Sequence, residues 1–228
     1  MRRAARLGRP HLHLRETGST NERARALAAA GAPHGTLVTA GFQTAGRGRQ
    51  GRTWVAPPGR ALLLSLVLRD PDALLALRAG LAVADLAGPA ARVKWPNDVL
   101  LEGRKVAGIL VEGRPQERWA VAGIGVNAAV DAADLPEDLR GSAGTLGLAP
   151  VRLPDALGDL LRALEHRLAE PAADALRALR ERDALLGASL TWAGGAGVGA
   201  GIDDRGALRV RLADGSERAL DAGEVHLG

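Results

Sequence analysis

Residues 46–52, reading GRGRQGR, are the part of this chain best equipped for chemistry. Alternating glycines give a backbone whose amides can approach a ligand, and the guanidinium groups of Arg47, Arg49 and Arg52 can clamp phosphates or a carboxylate. Gln43 lies just upstream as a neutral donor and acceptor, and Trp54 downstream offers a flat face on which a base can stack. A second group, Lys94-Trp95-Pro96-Asn97-Asp98, closes a strand with a proline-directed turn and sets an ammonium where it can reach an anion. A third, Gly123-Ile124-Gly125-Val126-Asn127, places an amide at the end of an apolar strand whose glycines admit a close approach. Ser19-Thr20-Asn21 adds two hydroxyls and an amide at the start of a helix.

Each group also has a plainer reading. GRGRQGR alone describes a solvated basic loop or a nucleic-acid-binding RG segment equally well. Residues 46–53 have P-loop spacing except that Arg52 stands where Lys is required. The sequel, Trp54-Val55-Ala56-Pro57-Pro58-Gly59, cannot open the helix a P-loop needs. Residues 123–128 resemble a dinucleotide fingerprint, but the continuation runs quickly into Pro136 and no clear βαβ unit surrounds it. Lys94 alone is an ordinary hairpin lysine, and Gly123 and Gly125 alone are structural glycines. Capping explains Ser19, with Glu22 completing a capping box, but not Thr20 and Asn21 together. No metal site of protein ligands is expected: His11-x-His13 is the sole close pair among five histidines and fits simple strand alternation. With no cysteine, no nucleophile elbow and no catalytic carboxylate pair, a covalent enzyme intermediate is not expected.

The elements that must position these groups follow from periodicity. Residues 11–14 and 36–40 read as short strands around a helix opened by Ser19 and closed by Gly31. Residues 46–59 form a long loop, and 61–68 a fully apolar strand buried on both faces. Helical spacing over 70–86 puts Leu74, Leu77, Leu81 and Val83 in the core. Strands are expected at 92–95, 99–102, 105–112 and 118–126, with a hairpin turn at Glu102-Gly103-Arg104. Residues 128–147 read as a surface loop, and 154–168 and 172–186 as amphipathic helices. Beyond residue 188, short alternating runs broken by Gly201, by 203–206 and by Asp214-Gly215 suggest a small β-barrel. The fold class is thus α+β: a mixed β-sheet with flanking helices over 1–186 and a small C-terminal barrel over 187–228.

Composition narrows the class of protein. The 228 residues include 46% hydrophobic but only 2% aromatic, so the core must be built from Leu, Val and Ala. A formal net charge of +4 is a weak case for nucleic acid, although an excess of Arg drives the isoelectric point high. No run of about 18 apolar residues exists to span a membrane. The basic N-terminus lacks the apolar stretch of a secretory signal, so a cytoplasmic enzyme is expected. Arg has displaced Lys almost everywhere, leaving only Lys94 and Lys105; Asn survives only at 21, 97 and 127, and Phe only at 42. Survivors against such a bias mark positions where no substitute serves.

GSTN at 18–21, FQTAGRGRQGRTW at 42–54, KWPNDVLLEGRKVAGILVE at 94–112 and GIGVN at 123–127 together resemble the biotin–protein ligase family. The resemblance runs over nearly the whole chain, and it is to the short form without an N-terminal helix-turn-helix. It implies a catalytic domain like that of class II aminoacyl-tRNA synthetases and biotin ligases, followed by an SH3-like domain. It also implies a two-step reaction: biotin and MgATP give biotinyl-5′-adenylate and pyrophosphate, then a lysine of the biotin carboxyl carrier protein displaces AMP. Biotin would be bound by Ser19, Thr20 and Gln43 at its ureido ring, with Asn21 also in its site, and bordered by Gly123 and Gly125. Arg47, Gly48 and Arg49 would line its carboxylate and the phosphates. Lys94 would bridge carboxylate and α-phosphate, making Lys94, Arg47 and Arg49 the catalytic set. Arg49, Arg52, Trp54, Lys94 and Asn127 would face the nucleotide. Some family members carry Arg where this chain has Gln50, so Gln50 stays outside that set, and the role of Lys105 is open. Mg²⁺ would arrive with ATP. No DNA and no membrane partner is expected, and a homodimer is compatible with the family. A lipoate–protein ligase or octanoyltransferase of related fold is the nearest alternative, and a non-enzymatic nucleic-acid-binding protein the second. A loop so rich in Gly and Arg is expected to be poorly ordered until an anion neutralises it.

Overall fold

The computed structural model describes residues 7–221 and 223–227. The chain begins with β1 (His11–Leu14), α1 (Thr20–Ala29), β2 (Leu37–Ala40), β3 (Leu62–Arg69) and α2 (Leu75–Ala87). It continues with β4 (Arg92–Lys94), β5 (Asp98–Leu101), β6 (Arg104–Arg114) and β7 (Trp119–Val126). These strands make one seven-stranded sheet in the order β1-β2-β3-β7-β6-β5-β4, parallel only between β1 and β2. Three helices follow, α3 (Glu137–Arg140), α4 (Leu153–Ala169) and α5 (Ala172–Glu181). The chain ends in a five-stranded antiparallel sheet of β8 (Ser189–Trp192), β9 (Gly195–Ile202), β10 (Leu208–Arg211), β11 (Glu217–Leu220) and β12 (His226–Leu227). Among the described residues no helix is long and apolar enough to cross a membrane.

Strand alternation divides the large sheet into two faces. On β3, Leu62, Leu64, Leu66 and Leu68 enter the main core beneath α2 and α4, joined there by Ile109 of β6 and Ile124 of β7. Leu64, Leu66, Leu81, Leu160 and Leu164 are essentially fully buried, each contributing about 1.5–3 kcal/mol relative to an exposed side chain. The opposite face carries Val38, Val67, Trp119 and Val121, which pack against Ala24 and Ala28 of α1. That apolar packing ends where β7 changes to Gly123 and Gly125, which the Asn21 side chain of α1 and the Trp54 ring cover instead. A run read as apolar throughout is therefore two surfaces, a sealed core and a floor for a cavity.

Several expectations shift at element ends, each for a visible reason. The helix expected from residue 70 starts at Leu75, because Asp70 has a left-handed φ of 51° and Asp72 Oδ1 accepts the Leu74 amide. The helix expected to reach 186 stops at Glu181, and the segment after it pairs with the sheet edge, Val93 N to Arg182 O at 2.8 Å and Ala184 N to Val93 O at 3.0 Å. The unpaired edge of β4 outcompetes continued helix there. Ser19 has extended backbone at the start of α1 but makes no side-chain cap, so the expected capping box is not formed. Gln43 Oε1 takes the Thr20 amide instead, at 2.7 Å. Residues 128–147 are only partly a surface loop. Val130 and Leu135 are buried against Ala56, Ala61 and Leu63, and the segment is stitched on by Leu146 N to Asn127 O at 2.8 Å.

The two sheets meet beside the cavity. Trp95 Nε1 donates to Gly206 O at 3.1 Å. Gly206 has φ +86°, a backbone conformation that favours glycine, and a Cβ there would sit 2.6 Å from Leu74 Cδ2 and 3.1 Å from Leu77 Cδ1, so a larger residue would strain the turn and make these leucines shift.

Candidate active site

Cross-strand register builds the floor of the site. Paired residues share a face, so the pairs Leu63↔Gly125, Gly108↔Gly125, Asp98↔Gly108 and Lys94↔Asp98 form one row across β3, β7, β6, β5 and β4. The next row is Ser65↔Gly123 with Leu110↔Gly123. Above these rows lies a cavity of about 890 Å³ counted with its open mouth.

Residues 46–54 close over it as a narrow hairpin. Gly48 N bonds Arg52 O at 2.7 Å, Trp54 N bonds Gly46 O at 3.0 Å, and Arg47 pairs with Thr53. Gln50 and Gly51 form the tip with φ of 54° and 77°. A Cβ on Gly46 would collide with the Trp54 carbonyl, which explains glycine at the hairpin base. Each of the crowded arginines finds an acceptor inside the protein. Arg47 Nη2 lies 3.0 Å from Glu112 Oε1. Arg49 donates to Asn97 Oδ1 at 2.9 Å and to Gly223 O at 3.1 Å. Arg52 pairs with Glu224.

One end of the cavity is uncharged and rich in oxygen acceptors. Thr20 Oγ1 donates to Gln43 Oε1 at 3.0 Å, and Ser65 Oγ lies 2.8 Å from Thr20 Oγ1 and 2.6 Å from Asn21 Oδ1. Asn21 Nδ2 donates to Leu110 O and to Glu112 Oε2 at 2.9 Å. Ser19, Thr20, Asn21 and Ser65 are all buried. The other end is cationic. Lys94 lies there with no ion pair among the described residues; burial lowers its pKa, Lys105 and Arg52 add to that, and Asp98 opposes them. Lys105 Nζ lies 2.7 Å from Asp98 Oδ1 and 5.8 Å from the Trp54 ring centroid. Trp54 itself covers the glycine row: a Cβ on Gly125 would sit 2.5 Å from its Cε2 and one on Gly108 3.1 Å from its Cζ3.

The structure therefore brings Ser19, Thr20, Asn21, Gln43, Arg47 and Gly48 to the same cavity as Arg49, Arg52, Trp54, Lys94, Gly123 and Gly125. Space above the two glycines is largely taken by protein, by Asn21 over Gly123 and by Trp54 over Gly125. Asn127 is placed differently. It is buried behind the cavity wall, its Nδ2 donating to Gly144 O at 3.1 Å and its amide to Val106 O at 2.8 Å. Sequence reasoning passed over Ser65, Asn97, Asp98, Glu112 and Glu224 and left Lys105 without a role. Lys105 had a signal, as one of two surviving lysines, and so did Asn97, as one of three asparagines. Glu112 closes the motif at 94–112 but its type gave it no role, and Glu224 had no signal, because an acidic residue is unremarkable until a register or a second domain sets it against an arginine. No group of three His, Asp or Glu side chains is placed to hold a metal among the described residues.

Comparison with known proteins agrees with this geometry. Residues 15–128 match the Biotin/lipoate A/B protein ligase family, and residues 197–228 match the Biotin protein ligase C terminal domain. The chain is 38% identical to biotin--[acetyl-CoA-carboxylase] ligase of Paracoccus denitrificans, over 94% of this chain and 99% of that protein. It is 37% identical to the enzyme of the same name from Mycobacterium tuberculosis, over 92% of this chain and 86% of that one. Its structure is similar to that of biotin protein ligase from Aquifex aeolicus in complex with biotin and ATP, with a TM-score of 0.82 and 25% identity, covering 96% of this chain and all of that one. The chain belongs to the biotin/lipoate A/B protein ligase family, among its biotin ligases.

Proposed function

We propose that this protein uses ATP to attach biotin to a lysine of the biotin carboxyl carrier protein of acetyl-CoA carboxylase, through biotinyl-5′-adenylate. The observation that carries the reading is the polarity of one cavity, neutral and acceptor-rich at Thr20, Asn21 and Gln43 with Ser65 hydrogen-bonded beneath them, cationic at Lys94, Lys105, Arg49 and Arg52. Two hydroxyl protons serve three close oxygen–oxygen contacts at the neutral end. That surplus of acceptors suits the N–H groups of a ureido ring, whose burial without partners would cost about 1–3 kcal/mol per group. A ligand with a neutral ring and a carboxylate tail fits end to end.

In the first step a biotin carboxylate oxygen attacks the α-phosphorus of MgATP, the bond to pyrophosphate breaks, and MgPPi leaves. Two anions must meet, and Lys94 and Arg49 offset their repulsion and the charge that builds on phosphorus. Arg47 is held at the same mouth and Arg52 faces the phosphates. In the second step the carrier's lysine nitrogen attacks the acyl carbon, the C–O bond to AMP breaks, and the nitrogen loses a proton. Trp54 supplies a stacking face for adenine. Its Nε1 is buried with no hydrogen-bond partner among the described residues, polar capacity that a base could use. Mg²⁺ enters as part of the substrate, held by phosphates and water. We take residues 1–186 as the catalytic domain and 187–228 as a second domain that completes its mouth, in a protein working where cytoplasmic ATP is present.

Biotin-dependent exchange of labelled pyrophosphate into ATP tests the reading. Exchange with biotin and not with lipoate is expected, followed by biotin transfer to carrier protein. Exchange with lipoate alone would transfer the assignment to lipoate ligation, and no exchange with either would remove it.

A further inference from the structure

Glu112 of β6 carries three partners on two oxygens. Its Oε1 lies 3.0 Å from Arg47 Nη2 and 3.3 Å from Arg25 Nη1, and its Oε2 accepts from Asn21 Nδ2 at 2.9 Å. Register places it there. Glu112 pairs with Val121 on the α1 face of the sheet, and the next residue of β6 on that face, Leu110, pairs with Gly123 on the cavity floor. The side chain is 17% exposed, so its charge must be matched close by, and an unmatched carboxylate at that depth would be costly. Asn21 turns its Oδ1 to Ser65, at the ring end of the cavity. Arg47 comes from the arginine hairpin at the anion end. The two ends of the site thus meet at one carboxylate.

We propose that Glu112 is a positioning residue for the adenylation reaction assigned above, on which this inference rests: Oε1 sets Arg47 at the cavity mouth while Oε2 sets Asn21, holding the hairpin and the ring end in one register. Arg25 completes the device. When a substrate anion draws Arg47 away, Arg25 remains on the same oxygen, so the carboxylate is not left bare and the hairpin is free to close on its ligand. An arginine already aimed at the reacting anion loses less freedom on binding, and small misplacements of such a group are expensive in rate.

The test is Glu112→Gln, which keeps one oxygen for Asn21 but removes the charge that holds Arg47. Three readouts are needed: thermal unfolding, trypsin cleavage of the unliganded protein within residues 47–52, and steady-state pyrophosphate exchange. The midpoint is expected to move by no more than about two degrees. Cleavage within the hairpin should quicken about threefold or more. In exchange, kcat should fall about tenfold with KM for biotin changed less than about twofold, and Glu112→Gln should add nothing in an Arg47→Ala background. Unchanged hairpin cleavage overturns the proposal, as do effects that multiply in the two backgrounds or a loss confined to biotin KM. A wild-type protein without biotin-dependent exchange would overturn the reaction assignment instead, and the cleavage comparison alone would then decide whether Glu112 holds the hairpin.

Discussion

Trp54 rests on Gly125: a Cβ added to that glycine would sit 2.5 Å from the indole Cε2. The neighbouring glycine in the same strand, Gly123, is covered in the same way by the Asn21 side chain. Two glycines two residues apart on β7 thus underlie the two halves of the site, which makes them separable by mutation.

Gly125→Ala should displace Trp54 and raise KM for ATP about tenfold, with biotin affinity changed less than about twofold. Gly123→Ala should do the reverse, because it pushes Asn21 off the ring end. Calorimetry with biotin, and exchange kinetics with ATP varied, measure the two separately. Equal effects of both substitutions on both ligands would refute this division.

Lys94 should be needed for activity but not for the fold. Burial lowers its pKa, so the ammonium is less favourable in the folded state than in the unfolded one. That cost is fully present below the folded pKa and fades as pH rises through it toward the ordinary lysine value. Lys94→Met should therefore be slightly more stable than wild type at pH 7, by a degree or about two in midpoint, and the gap should narrow in alkaline buffer. Exchange by the same variant should fall about a hundredfold or more. A less stable variant, or an active one, would contradict the assignment.

Lys105 poses the opposite case, since its loss leaves Asp98 without its cation. Asp98 is 17% exposed beside Lys105, so Lys105→Met should cost about 1–3 kcal/mol. Adding Asp98→Asn should recover most of that stability without recovering exchange, if Lys105 also serves the cavity. Chemical denaturation and exchange assays on the single and double variants decide both parts. Recovery of activity together with stability would leave Lys105 a purely structural role.

Arg52 reaches across to Glu224, between β11 and β12, with side chains 53% and 25% exposed. Pairs so exposed contribute about 0–1 kcal/mol, so Glu224→Gln should barely move the unfolding midpoint. It should nevertheless lower kcat/KM for ATP about threefold, by releasing Arg52 from the mouth of the cavity. A fall in stability without a change in ATP kinetics would place the pair with the fold rather than the site.

Much of this architecture was legible beforehand, and the failures share a cause. The strand ending in Gly123-Ile124-Gly125-Val126 was read from its apolar character and ended at Val126, and the turn at Glu102-Gly103 follows from two adjacent left-handed residues. The helix over 172–186 was read too long because periodicity registers an amphipathic pattern and not a sheet edge waiting for a partner. Ser19 was read as a cap because the local pattern fits, whereas Gln43, from beyond β2, supplies the acceptor. Asn127, which the resemblance places toward the nucleotide, lies against the segment that follows β7, its Nδ2 donating to Gly144 O.

The sequence by itself determined the family, through the order and content of GSTN, GRGRQGR, KWPND and GIGVN, and it determined where the apolar strand runs lie. Both are properties of neighbours along the chain. Only the tertiary structure decided what each arginine touches: Glu112 for Arg47, Asn97 and Gly223 for Arg49, Glu224 for Arg52. Arg49 and Gly223 are 174 positions apart. A hydrogen bond is set by angles and tenths of an ångström, and across such separations those are fixed by strand register and by the docking of one sheet on another.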